Sequence, residues 1–192
     1  MRESLKLGGI LFLITAICCG LLGFVNNITT PIIAENKKVS EDQAMKVLVE
    51  EAKEFVEVKD VKGETIKNLF IATADGKSVG SVAKVAPNGY GGEITVLVGF
   101  DLEGHIKGIK ILSHSETPGL GANAAQDSFM SQFAQKLPPL AVTKSTPKDN
   151  EIVAITGATI TSSAIVKGIN EAAAYVTEHQ GELFQDVQME GK

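Results

Sequence analysis

Residues 7–34 contain no charged side chain, and residues 7–25 are almost entirely apolar or small. At about 1.5 Å rise per residue, the inner stretch makes roughly 28 Å of helix, close to the hydrocarbon thickness of a bilayer. A helix on the surface of a soluble domain carries a polar stripe, and this one has none. A cleaved signal peptide would have a shorter apolar region ending in a small-x-small site. Ile17, directly before Cys18, also spoils a lipoprotein-type cleavage site. A retained membrane anchor is therefore expected over residues 1–34, with residues 35–192 as the domain it tethers. Cys18 and Cys19 then sit in lipid or against a partner helix as small apolar residues. Arg2 and Lys6 precede the span, and Lys37 and Lys38 follow it. The positive-inside rule leans to a cytoplasmic N-terminus and a domain on the outer face of the cytoplasmic (inner) membrane.

Composition excludes several classes. The 192 residues carry a net charge of -5, which argues against a nucleic-acid partner. Aromatics make up 5% of the chain and Trp is absent, so stacking platforms for single strands are not expected. A charged fraction of 21% beside 44% hydrophobic residues argues against global disorder. Two adjacent cysteines cannot build a disulfide framework, and His105, His114 and His179 are too scattered for a structural zinc site, so no metal is expected.

Beyond the anchor the pattern changes. Ser40-Glu41-Asp42-Gln43 reads as a capping box, and Ala44, Val47, Leu48, Ala52 and Phe55 share one helical face, so a helix is expected over about 40–55. Strand signals follow over 69–73 and 79–85, flanking the hairpin pair Asp75-Gly76. Gly89-Tyr90-Gly91-Gly92 reads as a hinge or bulge. Ile94, Val96 and Val98 mark a further strand, and Ile106, Ile109, Ile111 and Leu112 the next, with Glu103-Gly104 as the turn. Consecutive strands without intervening helices make an antiparallel meander, so the tethered domain is expected to be α+β.

Two segments interrupt this pattern. Ser115-Glu116-Thr117-Pro118-Gly119-Leu120-Gly121 combines a proline that fixes one φ with two glycines that permit unusual ones. Such a loop brings backbone amides close to a ligand, but spacing alone does not separate it from an ordinary strand-to-helix turn. A helix is expected after it, with Asn123 as cap and Phe129, Met130 and Phe133 buried. The second segment, Ile155-Thr156-Gly157-Ala158-Thr159-Ile160-Thr161-Ser162-Ser163, leads from a short apolar run into a helix. Ile165, Val166, Ile169, Ala173 and Val176 form the buried face of that helix, and Thr161 or Ser162 its cap. Free amides and the helix dipole there favour a phosphate, although a plain N-cap cluster has the same composition. The segment is not a P-loop, because the GxxxxGK spacing is missing, and it is not a Gly-x-Ser-x-Gly nucleophile elbow. No catalytic constellation is legible.

Thr156-Gly157-Ala158-Thr159, followed by Ile160-Thr161-Ser162, resembles the flavinylation motif of the FMN-binding domain family. Glu116-Thr117-Pro118-Gly119-Leu120-Gly121 resembles that family's second signature, in matching order. The N-terminal span running into Asn27-Ile28-Thr29-Thr30-Pro31 is similar to the branch found in Rnf-type ion-translocating electron-transport complexes. The sodium-pumping NADH:quinone reductases are its cousins. One departure is Val153, where family members often carry Asp. The resemblance implies FMN joined by a phosphodiester to Thr159 and installed by a flavin transferase with FAD as donor. It further implies Thr117 and Leu120 against the ring, amides near Gly119 and Gly121 at its edge, and Thr156, Gly157, Ala158, Thr161 and Ser162 around the phosphate. Lys144 is the candidate positive charge near the ring, and Glu116 would oppose a reduced anionic flavin if it were close. The implied partners are the other membrane and redox subunits of an Rnf-type complex, together with lipid. The implied role is an electron relay in a ferredoxin:NAD oxidoreductase coupled to ion translocation. A quinone-reductase subunit, a stand-alone extracytoplasmic shuttle, or an anchored module sensing a phosphate ligand are the competing readings.

Overall fold

A computed structural model describes residues 2–184 of the chain. The chain divides into two compact units between Glu41 and Asp42. Helix α1 (Arg2–Leu48) supplies all the described residues of the first unit. It is the one helix among the described residues that is long and apolar enough to cross a membrane. Its large side chains project outward, with Leu7, Phe12 and Leu22 each about 70% exposed, as a lipid-facing surface requires. Thr15 donates its hydroxyl to the Leu11 and Phe12 carbonyls, so this polar group in the apolar stretch has a partner. Pro31 lies inside the helix and offers no N–H to the turn before it. The Thr29 and Thr30 hydroxyls bond back to the Val25 and Asn26 carbonyls on that same side.

The helix expected to start at Ser40 is instead the continuation of α1, and the Ser40–Gln43 motif lies in its interior. Extending an existing helix adds one bond per residue, whereas starting another needs a new nucleus, so no cap is required there. Ala44, Met45 and Leu48 are buried, but Val47 is exposed and Phe55 has left the helix for a strand.

In the second unit, strands β1 (Glu54–Glu57), β2 (Ile66–Ala74), β3 (Lys77–Val85), β4 (Thr95–Phe100) and β5 (Ile106–Ser113) form an antiparallel meander in chain order. The meander was legible from the period-two pattern except for β1, whose four residues are mostly exposed. Asp75 and Gly76 both take positive φ, 52° and 74°, as a two-residue type I′ hairpin needs. Alternate residues feed two cores. Ala72, Val82 and Leu97 pack with Ala44, Met45, Leu48 and Val49 on one face. Leu69, Ala83, Val85, Val98 and Phe100 face the other, larger core.

That larger core is closed by the chain after β5. A 3-10 turn (Gly121–Ala125), the short helix α2 (Asp127–Met130) and a second 3-10 turn (Ser131–Phe133) replace the single helix expected there. Asn123 does not cap a helix; its side chain donates to the Gly119 carbonyl at 3.1 Å. Phe129, Met130 and Phe133 are buried as expected. Strands β6 (Ala141–Thr143) and β7 (Glu151–Val153) pair in parallel, a small sheet with no alternation to announce it. Helix α3 (Thr159–Glu178) then lays Ile165, Val166, Ile169, Ala173 and Val176 on the core, and α4 (Gln180–Leu183) follows. The Glu171 carboxylate accepts hydrogen bonds from the Thr65 N–H at 3.1 Å and the Thr65 hydroxyl at 2.6 Å. This clamp joins the C-terminal half of α3 to the residue that precedes β2.

Candidate cofactor cleft

The two segments that interrupt the strand pattern face one another across a cleft of about 790 Å³. That volume lies within the usual range of roughly 300–1,000 Å³ for small-molecule sites. Thr117, Leu120 and Gly121 line it from the first loop, and Thr156, Gly157, Ala158, Thr159 and Thr161 from the second. Gly119 and Ser162 are not part of the lining. Tyr90, Lys144, Val153 and Ile160 also line it. Lys144, Val153 and Ile160 are legible as candidates in the sequence, but nothing in the local pattern of Tyr90 pointed here.

The second loop is built around Gly157. The Ala158 N–H donates to the Ile155 carbonyl at 2.9 Å, closing a turn in which Gly157 has φ 76°. A type II turn requires a positive φ at that position. A Cβ there would also lie 3.0 Å from Leu120 Cδ2, so the two loops touch at this glycine. Thr159 is the first residue of α3, so the helix starts earlier than a cap at Thr161 or Ser162 would give. Ala158 stands at the N-cap and supplies no side-chain hydrogen bond. The first amides of α3 are therefore uncapped, at the positive end of a 20-residue helix dipole, beside the half-buried Thr159.

The hydroxyls of Thr161 and Ser162 serve neither as caps nor as free donors. Ser162 is fully buried; its Oγ donates to the Ala158 carbonyl at 3.1 Å and accepts from the Ile155 N–H at 3.0 Å. It ties the turn to the helix from behind. Ser162→Ala strands the Ile155 amide, and the second unit should lose about 1–3 kcal/mol in denaturant unfolding. Thr161 is also fully buried and donates to Glu116 Oε2 at 2.7 Å. The glycines at 89–92, expected to be a hinge or bulge, make a closed turn. Gly89 N–H donates to the Gly92 carbonyl at 2.8 Å, and Gly91 N–H donates to Glu116 Oε1 at 2.9 Å.

The first loop is closed by its own backbone. Leu120 and Ala122 N–H groups both donate to the Thr117 carbonyl, at 3.1 and 3.2 Å. Gly119 takes φ 77°. Leu120 is left 44% exposed, an apolar side chain displayed on the wall of the cleft. A ligand with an anionic end and a flat apolar end fits this donor set. The lining offers uncapped amides and the Thr159 hydroxyl, with Leu120 and Tyr90 presenting carbon surface and Lys144 a cation.

Residues 89–174 match the FMN-binding domain family, and residues 1–48 match the RnfG N-terminal region. The chain is 39% identical over 162 residues to the G component of the proton-translocating ferredoxin:NAD(+) oxidoreductase complex of Clostridium ljungdahlii, covering 84% of this chain and 85% of that one. The chain belongs to the RnfG family. It is also 38% identical over 183 residues to the G component of the Na(+)-translocating ferredoxin:NAD(+) oxidoreductase complex of Acetobacterium woodii, covering 86% and 87% of the two chains. The fold resembles that of the C component of the Na(+)-translocating NADH-quinone reductase from Parabacteroides distasonis. The TM-score is 0.52 at 24% identity, over 65% of this chain and 76% of that one. The cleft lies largely within the FMN-binding domain, and the apolar helix within the RnfG N-terminal region.

Proposed function

We propose that the chain is the electron-carrying flavoprotein subunit of a membrane-bound, Rnf-type ferredoxin:NAD oxidoreductase that couples electron transfer to ion translocation. Its FMN is joined by a phosphodiester to Thr159. The observation that carries this reading is the position of Thr159: first residue of an uncapped 20-residue helix, on the wall of a cleft formed by both signature segments. When bound, FMN supplies the redox chemistry, and the protein supplies orientation and electrostatics.

The chain's residues divide that work. The Thr159 Oγ provides the attachment point, and the first amides of α3 face the phosphate charge. Leu120 and Thr117 lie against the ring, and Lys144 contributes positive charge at the cleft. A threonine hydroxyl is a weak nucleophile at its free pKa. The cleft offers it no histidine, and the carboxylate of Glu116 is already engaged by Gly91 and Thr161. An external flavin transferase, with FAD as donor, therefore supplies the base or metal for attachment. A tether fixes the local cofactor concentration permanently, which suits a relay on an outer surface where lost FMN would not be replaced. In this reading residues 7–25 of α1 cross the cytoplasmic membrane with the N-terminus inside, in contact with lipid and with the other subunits of the complex. The second unit lies outside.

Intact mass of the full chain tests the attachment. Co-expressed with a flavin transferase, the protein should gain the mass of one FMN less water; without the transferase it should not. An unmodified mass in both preparations overturns the covalent reading.

A further inference from the structure

Glu116 sits where three segments of the cleft meet. Its Oε1 accepts from the Gly91 N–H at 2.9 Å, and its Oε2 from the Thr161 hydroxyl at 2.7 Å. The residue is only 6% exposed, and it lines the cleft. Glycines make room for it: a Cβ on Gly89 or Gly121 would collide with the carboxylate oxygens. A carboxylate is an acceptor-only group, and both bonds given to it here come from donors. Among the described residues it forms no ion pair. The chain therefore holds a buried acidic group, strapped by two hydrogen bonds, at the wall of an electron-carrying site.

Resting on the FMN reading above, we propose that the negative charge of Glu116 holds the reduction potential of the bound flavin down. The strap aligns the first loop, the Gly89–Gly92 turn and the N-terminus of α3. The charge acts through the cleft: a fixed negative group, itself buried in the wall, opposes the arrival of further negative charge. Lys144, on the same cleft, acts in the opposite direction.

Shape and charge can be separated in the flavinylated full chain. Glu116→Gln keeps the length and an acceptor oxygen but removes the charge; Glu116→Asp keeps the charge but shortens the reach; Glu116→Ser is a second neutral variant, smaller than Gln. Reduction is followed by visible absorbance against redox dyes. Gln and Ser should each raise the reduced-to-oxidised ratio at a fixed potential by about tenfold, 59 mV for a one-electron step. Asp should stay near the wild-type value. A folded neutral variant with the wild-type potential overturns the proposal, as does an Asp shift as large as that of Gln. Failure of the FMN reading looks different: the wild-type chain itself then carries no flavin by intact mass.

Discussion

Thr159→Ala leaves the full chain without flavin even when a flavin transferase is co-expressed. The denatured band should lose its fluorescence under ultraviolet light, and the intact mass should equal that of the bare polypeptide. In the proposed attachment the effect is all-or-none, because the substitution removes the hydroxyl oxygen that would carry the phosphate, while changing little else. Thr159 is half-buried at the start of α3, and alanine is a better helix former than threonine. Folding should therefore be preserved, and the melting temperature should stay within a few degrees of wild type. Thr161→Ala is the contrasting variant. Its hydroxyl is fully buried and donates to Glu116, so it is not presented to an incoming donor. That variant should keep its fluorescence while losing some stability. Fluorescence retained by Thr159→Ala and lost by Thr161→Ala would move the attachment point.

Phe133→Ala should cost about 3–5 kcal/mol of unfolding free energy, the usual range for truncating a buried Phe. Against a total of roughly 5–15 kcal/mol for a domain, this is enough to bring the second unit to the edge of unfolding. Phe133 is fully buried and meets Phe129 edge-on, with ring centroids 5.4 Å apart. The short helices that carry these rings are too brief to stand alone, so their place depends on packing. They also fix the C-terminal end of the first cleft loop, since the 3-10 turn beginning at Gly121 runs directly into them. Chemical denaturation followed by circular dichroism reads the loss. A change under about 1 kcal/mol would mean that the segment is held by something other than this ring pair.

Much of this molecule was legible from local pattern. The uncharged run over 7–34 was legible as one long apolar helix, because no polar stripe interrupts it. Period-two alternation placed β2 to β5 with their turns, and the 3.6-residue period placed the buried face of α3, since each pattern is a direct record of which side meets the core. The Gly-Ala-Thr and Thr-Pro-Gly-Leu-Gly segments identified two irregular loops. By resemblance, they also pointed to a flavin.

Other features depended on contacts between residues far apart in the chain. The capping motif at Ser40 had no helix to start, because α1 arrived there already formed. Thr161 and Ser162 looked like ready donors, yet tertiary partners had taken both hydroxyls. Short β1, β6 and β7 carry too few residues to show a period. The sequence by itself determined the long apolar helix, the meander and the composition of the two cleft loops, all written in neighbouring residues. Only the tertiary structure decided that Glu116, Gly91 and Thr161 meet, and that Tyr90 and Lys144 share a cleft with Thr159. Those encounters depend on how the loops close over the sheet, and no residue's neighbours in the chain encode that closure.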